Sequence, residues 1–188
     1  MPGRLWSGLW LMALLALAPL SQADESAWDA LREGRALLLM RHATAPGLGD
    51  PAGFVLSDCS TQRNLDSRGR AEARRWGELL RAKGITRVRL FSSRWCRALD
   101  TARGMGLGEV RPLPSLDSFI AERHRGDVHT ATLRRDLAAM PPGDPLVLVS
   151  HQVNVTALTG IFPRSGEAAI IALPLADPAR VLARVPTP

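Results

Sequence analysis

Two stretches of the chain, ALLLM at residues 36–40 and LVLV at 146–149, are apolar at every position. A strand with one wet face alternates apolar and polar residues, whereas an unbroken short apolar run marks a strand buried on both faces. Such strands belong to a sheet covered by helices, and the intervening sequence supplies them. DESAWDALREG predicts a short helix ending at Gly34. DSRGRAEARRWGELLRAKG predicts a second, capped by Asp66 or Ser67, with Ala71, Trp76, Leu79 and Leu80 as its buried face and Lys83-Gly84 as its close. RVRLFSS (87–93) reads as another strand, RWCRALDTARGMG as a helix and EVRPLPSL as a short extended piece. TATLRRDLAAM is predicted as a helix stopped by Pro141-Pro142-Gly143, and QVNVTALTG as a short helix after the 146–149 strand. EAAIIALPL and RVLARV, separated by a turn at Asp177-Pro178, read as a closing β-hairpin. Alternating strands and helices predict an α/β sandwich with a mostly parallel central sheet.

The first 23 residues read as something other than fold. Arg4 gives a positive start, LWLMALLALAPL (9–20) is an apolar core of signal-peptide length, and Ser21 and Ala23 are the small residues of a cleavage site. The apolar run is short for a bilayer span, which needs roughly 20 residues. The expectation is a signal peptide at 1–23, a mature domain at 24–188, a periplasmic or secreted location and no stable membrane insertion after cleavage; the alternative is an uncleaved anchor. Loss of this segment removes one charged residue, so the net charge falls from +6 to +5. Nearly every basic residue is arginine, Lys83 being the one lysine. Arginine's planar fork suits phosphate and carboxylate, which makes an anionic partner a natural expectation. Nucleic acid is not expected: the arginines are interleaved with acids along helices, and no aromatic platform accompanies them. No CxxC pair occurs and no Cys/His set has zinc-ligand spacing, so no zinc site is expected.

In parallel α/β sheets, ligands bind where the chain leaves the carboxyl ends of the strands. Here the first strand ends in Arg41-His42, the second in Ser92-Ser93 followed by Arg97 in the next helix, and the 146–149 strand in Ser150-His151. Taken singly, a histidine at a strand end is more often a structural residue, and a helical arginine more often solvated. If the three strands run parallel, two histidines and two arginines meet at one rim. That set suits phosphoryl transfer. Guanidinium forks neutralise the equatorial oxygens as charge redistributes. A neutral imidazole attacks phosphorus when its other nitrogen is held by an acceptor.

The same segments resemble the histidine phosphatase (phosphoglycerate mutase-like) superfamily. Arg41-His42-Ala43 matches its Arg-His-Gly or Arg-His-Ala strand end, and NLDSRGRAEA resembles its Leu-Thr-x-x-Gly-x-x-Gln-Ala helix opening, with Gly69 in the glycine place. FSSRWCRALDTA is similar to its Ser-Ser-x-x-x-Arg-x-x-x-Thr-Ala, and LVLVSHQVNVTALTG to the segment bearing its second histidine. The four segments arrive in family order across residues 36–160. The resemblance implies a three-layer α/β/α sandwich, a phosphohistidine on His42, and a phosphate pocket of Arg41, Arg97 and His151. It implies no metal or organic cofactor. GDPAGFVLSDCSTQRNL and LDSF further resemble small exported bacterial members, some of which are lipopolysaccharide core heptose phosphate phosphatases.

The implied substrate is a phosphorylated small molecule or glycan; oligomeric state is open. A phosphatase also needs an acid for the leaving oxygen. In one branch of the family this is an Asp after the second histidine, but Gln152 stands there; in the other it is a Glu in the segment after the second helix. In SLDSFIAERHRGD the candidates are Glu122, then Asp117, with surface acids as the plain alternative. Arg63 precedes the helix near the pocket and is a candidate substrate contact. His124 and His129 are candidate mouth residues or solvated loop residues. Cys59 and Cys96 lie in segments flanking the pocket, and an even count in an exported chain predicts a disulfide tying the long 43–64 loop to the Arg97 helix. The remaining functional alternatives are a phosphomutase and a phosphate-binding protein without turnover.

Overall fold

The computed structural model describes residues 19–188; the signal-peptide reading falls on residues 1–23, of which 1–18 lie outside the described residues. Six strands form one sheet: β1 (Ala36–Arg41), β2 (Arg89–Ser92), β3 (Val110–Pro112), β4 (Leu146–Ser150), β5 (Ala168–Ala172) and β6 (Val181–Val185), in the order β3-β2-β4-β1-β5-β6. β3, β2, β4 and β1 are mutually parallel, and β5 and β6 add antiparallel at one edge. The expected hairpin is therefore present, and the sheet is mostly parallel.

Among the described residues, five α-helices cover both faces: α1 (Pro19–Arg32), α2 (Ser67–Ala82), α3 (Cys96–Gly104), α4 (Gly126–Ala138) and α5 (Gln152–Thr159). The period of two in β1 divides the core. Leu38 and Met40 pack with Leu31, Trp76, Leu80 and Ala98 from α1, α2 and α3. Leu37 and Leu39 pack on the other face with Leu133 and Leu137 of α4 and Leu158 of α5. This is the three-layer α/β/α sandwich that the unbroken apolar runs require.

Element boundaries shift in two places. α1 already runs at Pro19, where the described residues begin, ahead of the expected Asp24. α4 starts at Gly126 instead of Thr130. The Thr130 and Thr132 hydroxyls bond back to the Gly126 and Val128 carbonyls, 2.8 and 2.9 Å away, so these threonines sit inside the helix instead of capping it. α2 keeps its expected start: Asp66 Oδ1 accepts from the Gly69 N–H at 2.8 Å.

α2 and α3 approach so closely that Gly77 has no room for a side chain. A Cβ there would lie 1.9 Å from the Met105 carbonyl oxygen, which ends the α3 turn. Gly77→Ala is accordingly expected to destabilise the fold by about 2 kcal/mol or more. Urea denaturation tests this, and a change within experimental error would contradict the close approach.

Candidate active site

The register of the parallel strands brings the three expected strand ends together. Arg41 pairs with Ser150 across β1 and β4, and Ser92 with Val149 across β2 and β4. Two further backbone bonds carry the alignment one residue past the strands: His42 N–H to the Ser150 carbonyl and Ser93 N–H to the Val149 carbonyl, each 2.9 Å. Arg41, His42, Arg97 and His151 consequently line one cavity of about 150 Å³. Arg63, the other candidate, lines it too. The cavity is on the scale of a phosphoryl group with little to spare, so the rest of a ligand must leave through the mouth.

His42 is held on every side. Its Nδ1 lies 2.8 Å from the Ala43 carbonyl oxygen, which can only accept, so Nδ1 carries the proton and Nε2 the lone pair. Nε2 in turn accepts from Arg97 Nε at 3.2 Å. The His42 carbonyl accepts from the Gly166 N–H at 3.0 Å, and the Gly166 carbonyl accepts from Trp76 Nε1 at 2.7 Å. Ala43 N–H donates to Thr101 Oγ1, whose hydroxyl donates to the Arg97 carbonyl. Thr44 donates through both N–H and hydroxyl to Glu72 of α2. α2 can come this near because residue 69 is glycine; a Cβ there would lie 2.0 Å from the Thr44 carbonyl oxygen.

His151 stands edge-on to His42, with ring centroids 5.4 Å apart, and its Nε2 is 2.8 Å from Ser93 Oγ. Ser93 is itself set by Asp117, whose Oδ1 lies 3.2 Å from the same hydroxyl and whose Oδ2 pairs with Arg94 at 2.6 Å. Asp117 is thereby a support for the Ser93–His151 pair and does not line the cavity. α5 begins immediately after His151 with no side chain capping it, and its first residues, Gln152 and Val153, line the cavity. The N–H groups of a first helical turn lack intrahelical partners and favour an anion.

Burial is the main influence on both histidines. It pushes each well below the ordinary imidazole value of 6.5; the Arg97 charge adds to this at His42, and His42 and Arg97 add to it at His151. Burial also lowers Arg41, Arg63 and Arg97 from the ordinary arginine range. Arg97 is paired with Asp50, Nη1 to Oδ1 at 2.7 Å. Arg41 bonds the Pro163 carbonyl and Arg63 the Ala45 carbonyl, and the Nε of each is buried with no protein partner. Three guanidinium groups lining one small cavity suit an anion's oxygens.

Other expected residues fall elsewhere. Glu122, the first candidate for the proton donor, is not brought to the cavity. It lies in the 3-10 segment Ile120–Arg125 with non-helical backbone, and its half-exposed carboxylate pairs with Arg125 at 2.9 Å. His124 and His129 do not line the cavity, and His129 stacks on Phe119. Cys59 and Cys96 form the expected disulfide, and Gln62 Oε1 accepts from the Cys96 N–H at 3.1 Å, so the long loop is tied to the residue before Arg97. Asp50 is the residue that the sequence did not signal. In GLGDP it reads as turn punctuation, yet its carboxylate accepts from Arg97, from the Arg63 N–H at 3.0 Å and from Trp95 Nε1 at 3.0 Å. Burial raises its pKa, but these three bonds outweigh it and hold the carboxyl below its ordinary 3.8.

The family model of the histidine phosphatase superfamily (branch 1) matches residues 37–142. This chain belongs to the histidine phosphatase superfamily. As a member it is a phosphatase, a hydrolase of phosphoric monoesters. Three solved structures are similar to it in fold. The protein histidine phosphatase SixA, complexed with tungstate, aligns at 19% identity and TM-score 0.57, over 81% of this chain and 97% of that one. A phosphoserine phosphatase from Entamoeba histolytica aligns at 15% identity and TM-score 0.59, over 81% and 97%. The mycobacterial glucosyl-3-phosphoglycerate phosphatase Rv2419c aligns at 17% identity and TM-score 0.54, over 81% and 98%. No curated protein matches the chain in sequence. His151 lies beyond the segment matched by the histidine phosphatase model; the β1–β4 register is what joins it to His42.

Two buried, neutral histidines make stability depend on pH. Their folded pKa values lie below 6.5, so between 6.5 and those values the unfolded chain binds protons that the folded chain refuses. Stability is then fully present above 6.5 and falls as pH drops through that window. Urea midpoints are expected to fall from about pH 7.5 to about pH 5.5, and less steeply when His42 or His151 is replaced by Asn. A slope unchanged by both replacements would contradict the neutral pair.

Proposed function

We propose that this protein hydrolyses phosphomonoesters in the periplasm by covalent catalysis, with His42 Nε2 as the nucleophile. The observation that carries this reading is the His42 Nδ1–Ala43 carbonyl bond, which fixes the tautomer and leaves Nε2 unprotonated beside Arg97. A neutral imidazole so oriented needs no base to activate it. Arg41, Arg63 and Arg97 supply the charge that a phosphoryl group loses to solvent on entry, and His151 adds a ring nitrogen, since only Nε2 is tied to Ser93. In the transition state the phosphoryl oxygens spread their charge toward these groups and toward the first N–H groups of α5.

The reaction runs in two displacements. Nε2 bonds to phosphorus as the ester oxygen departs, and water then attacks the phosphohistidine, releasing phosphate and restoring His42. The small cavity reads the phosphoryl group, so selectivity for the alcohol belongs to the mouth, where Leu48 and Ile120 are exposed. With export through the 1–23 segment, the substrate we propose is a sugar phosphate or a phosphate on the lipopolysaccharide core.

Hydrolysis of 4-nitrophenyl phosphate tests the activity, because its leaving group needs little protonation. His42→Ala is expected to lower kcat at least about a thousand-fold. Arg97→Ala is expected to lower it about a hundred-fold or more. Tight phosphate binding by the wild type without turnover would turn the reading toward a binding protein, and full activity in His42→Ala would remove the phosphohistidine.

A further inference from the structure

We propose that Asp50 is the acid that protonates the leaving oxygen and, in the second step, the base that takes a proton from the attacking water. The proposal rests on the phosphohistidine reading above and assigns the proton transfers that it requires.

Position is the first argument. Among the described residues, Asp50 is the one carboxylate lining the cavity. The two acids that the sequence offered are occupied elsewhere, Asp117 in setting Ser93 and Arg94, and Glu122 with Arg125 in solvent. Arg97 bridges nucleophile and acid: its Nε is 3.2 Å from His42 Nε2, and its Nη1 is 2.7 Å from Asp50 Oδ1. The carboxylate is thus separated from the nucleophile by the width of one guanidinium. A phosphoryl group that takes up Arg97 Nε beside His42 meets Asp50 across the same guanidinium.

Rigidity is the second. Asp50 lies in the long loop, but its carboxylate is gripped by the Arg63 N–H and by Trp95 Nε1 as well as by Arg97. The loop is also fastened to α3 through Cys59–Cys96 and the Gln62–Cys96 bond. A surface acid would have none of this.

Charge exchange is the third. In the free protein the Arg63 N–H and the Arg97 guanidinium hold the Asp50 carboxyl below its ordinary value. A bound phosphate competes for the same guanidinium and sets negative charge beside the carboxylate, which favours its protonation. A monoester monoanion carries the proton needed, since the second ionisation of a phosphomonoester lies near 6, by the order of magnitude known for phosphorylated side chains. That proton passes to Asp50. As the Nε2–P bond forms and the P–O ester bond breaks, Asp50 gives it to the departing oxygen and the alcohol leaves neutral. As water attacks and the Nε2–P bond breaks, Asp50 takes a proton from the water and returns it to the phosphate released.

The test compares leaving groups in the first turnover. With Asp50→Asn, the burst of nitrophenolate from 4-nitrophenyl phosphate is expected to persist within about ten-fold of wild type, while alcohol release from glycerol 2-phosphate falls about a hundred-fold or more. Binding of inorganic phosphate by the variant, measured by calorimetry, checks that the pocket survives. Equal loss with both substrates, or no loss with either, would overturn the proposal. The wild type provides an independent reading: across a series of aryl phosphates its kcat/KM is expected to vary little with leaving-group pKa, and a steep dependence would also overturn it. A His42→Ala variant that still turns over both substrates would show the failure to lie in the phosphohistidine itself.

Discussion

The bond from His42 Nδ1–H to the Ala43 carbonyl, 2.8 Å long, joins a side chain to the next residue's own backbone, so it survives only while the Arg41–Thr44 turn keeps its shape. Much of the surrounding structure maintains that turn. β4 fixes the His42 N–H, the segment before β5 fixes its carbonyl, Thr101 of α3 fixes Ala43, and Glu72 of α2 fixes Thr44. Gly69 is where helix meets turn without an intervening side chain. A change in this clamp reaches His42 by way of its tautomer, without touching the ring.

The cavity's electrostatics follow from the same clamp. Burial makes protonation of either imidazole unfavourable, so the positive charge of the site resides in arginine, which does not deprotonate in proteins. Three arginines face one carboxylate there. The site therefore holds an excess of positive charge in a confined volume. Asp50, paired with Arg97, limits that excess.

The fold was legible because burial on both faces writes itself into a strand as an unbroken apolar run, as in ALLLM. The reactive pairs were legible because they stand at strand ends, where register rather than loop conformation decides position. Arg97 and Cys96 could be read from their place just after the second of these ends. Asp50 could not, because what places it is the fold of a loop closed by a disulfide and by single hydrogen bonds to Arg63, Arg97 and Trp95. Such contacts leave no periodicity. Glu122 is not among the cavity residues for a related reason: it sits in short 3-10 turns through Ile120–Arg125, where its carboxylate pairs with Arg125.

The central claim is that phosphate resides on His42 between the two displacements. Rapid quenching of the wild type in alkali during turnover of 4-nitrophenyl phosphate, followed by peptide mass spectrometry, tests it most directly. The account predicts one phosphoryl group, stable to alkali and labile to acid, on the peptide containing His42 and located at that residue. A phosphoryl group found on another residue, or turnover with no phosphorylated enzyme under conditions that trap a reference phosphohistidine protein, would contradict it.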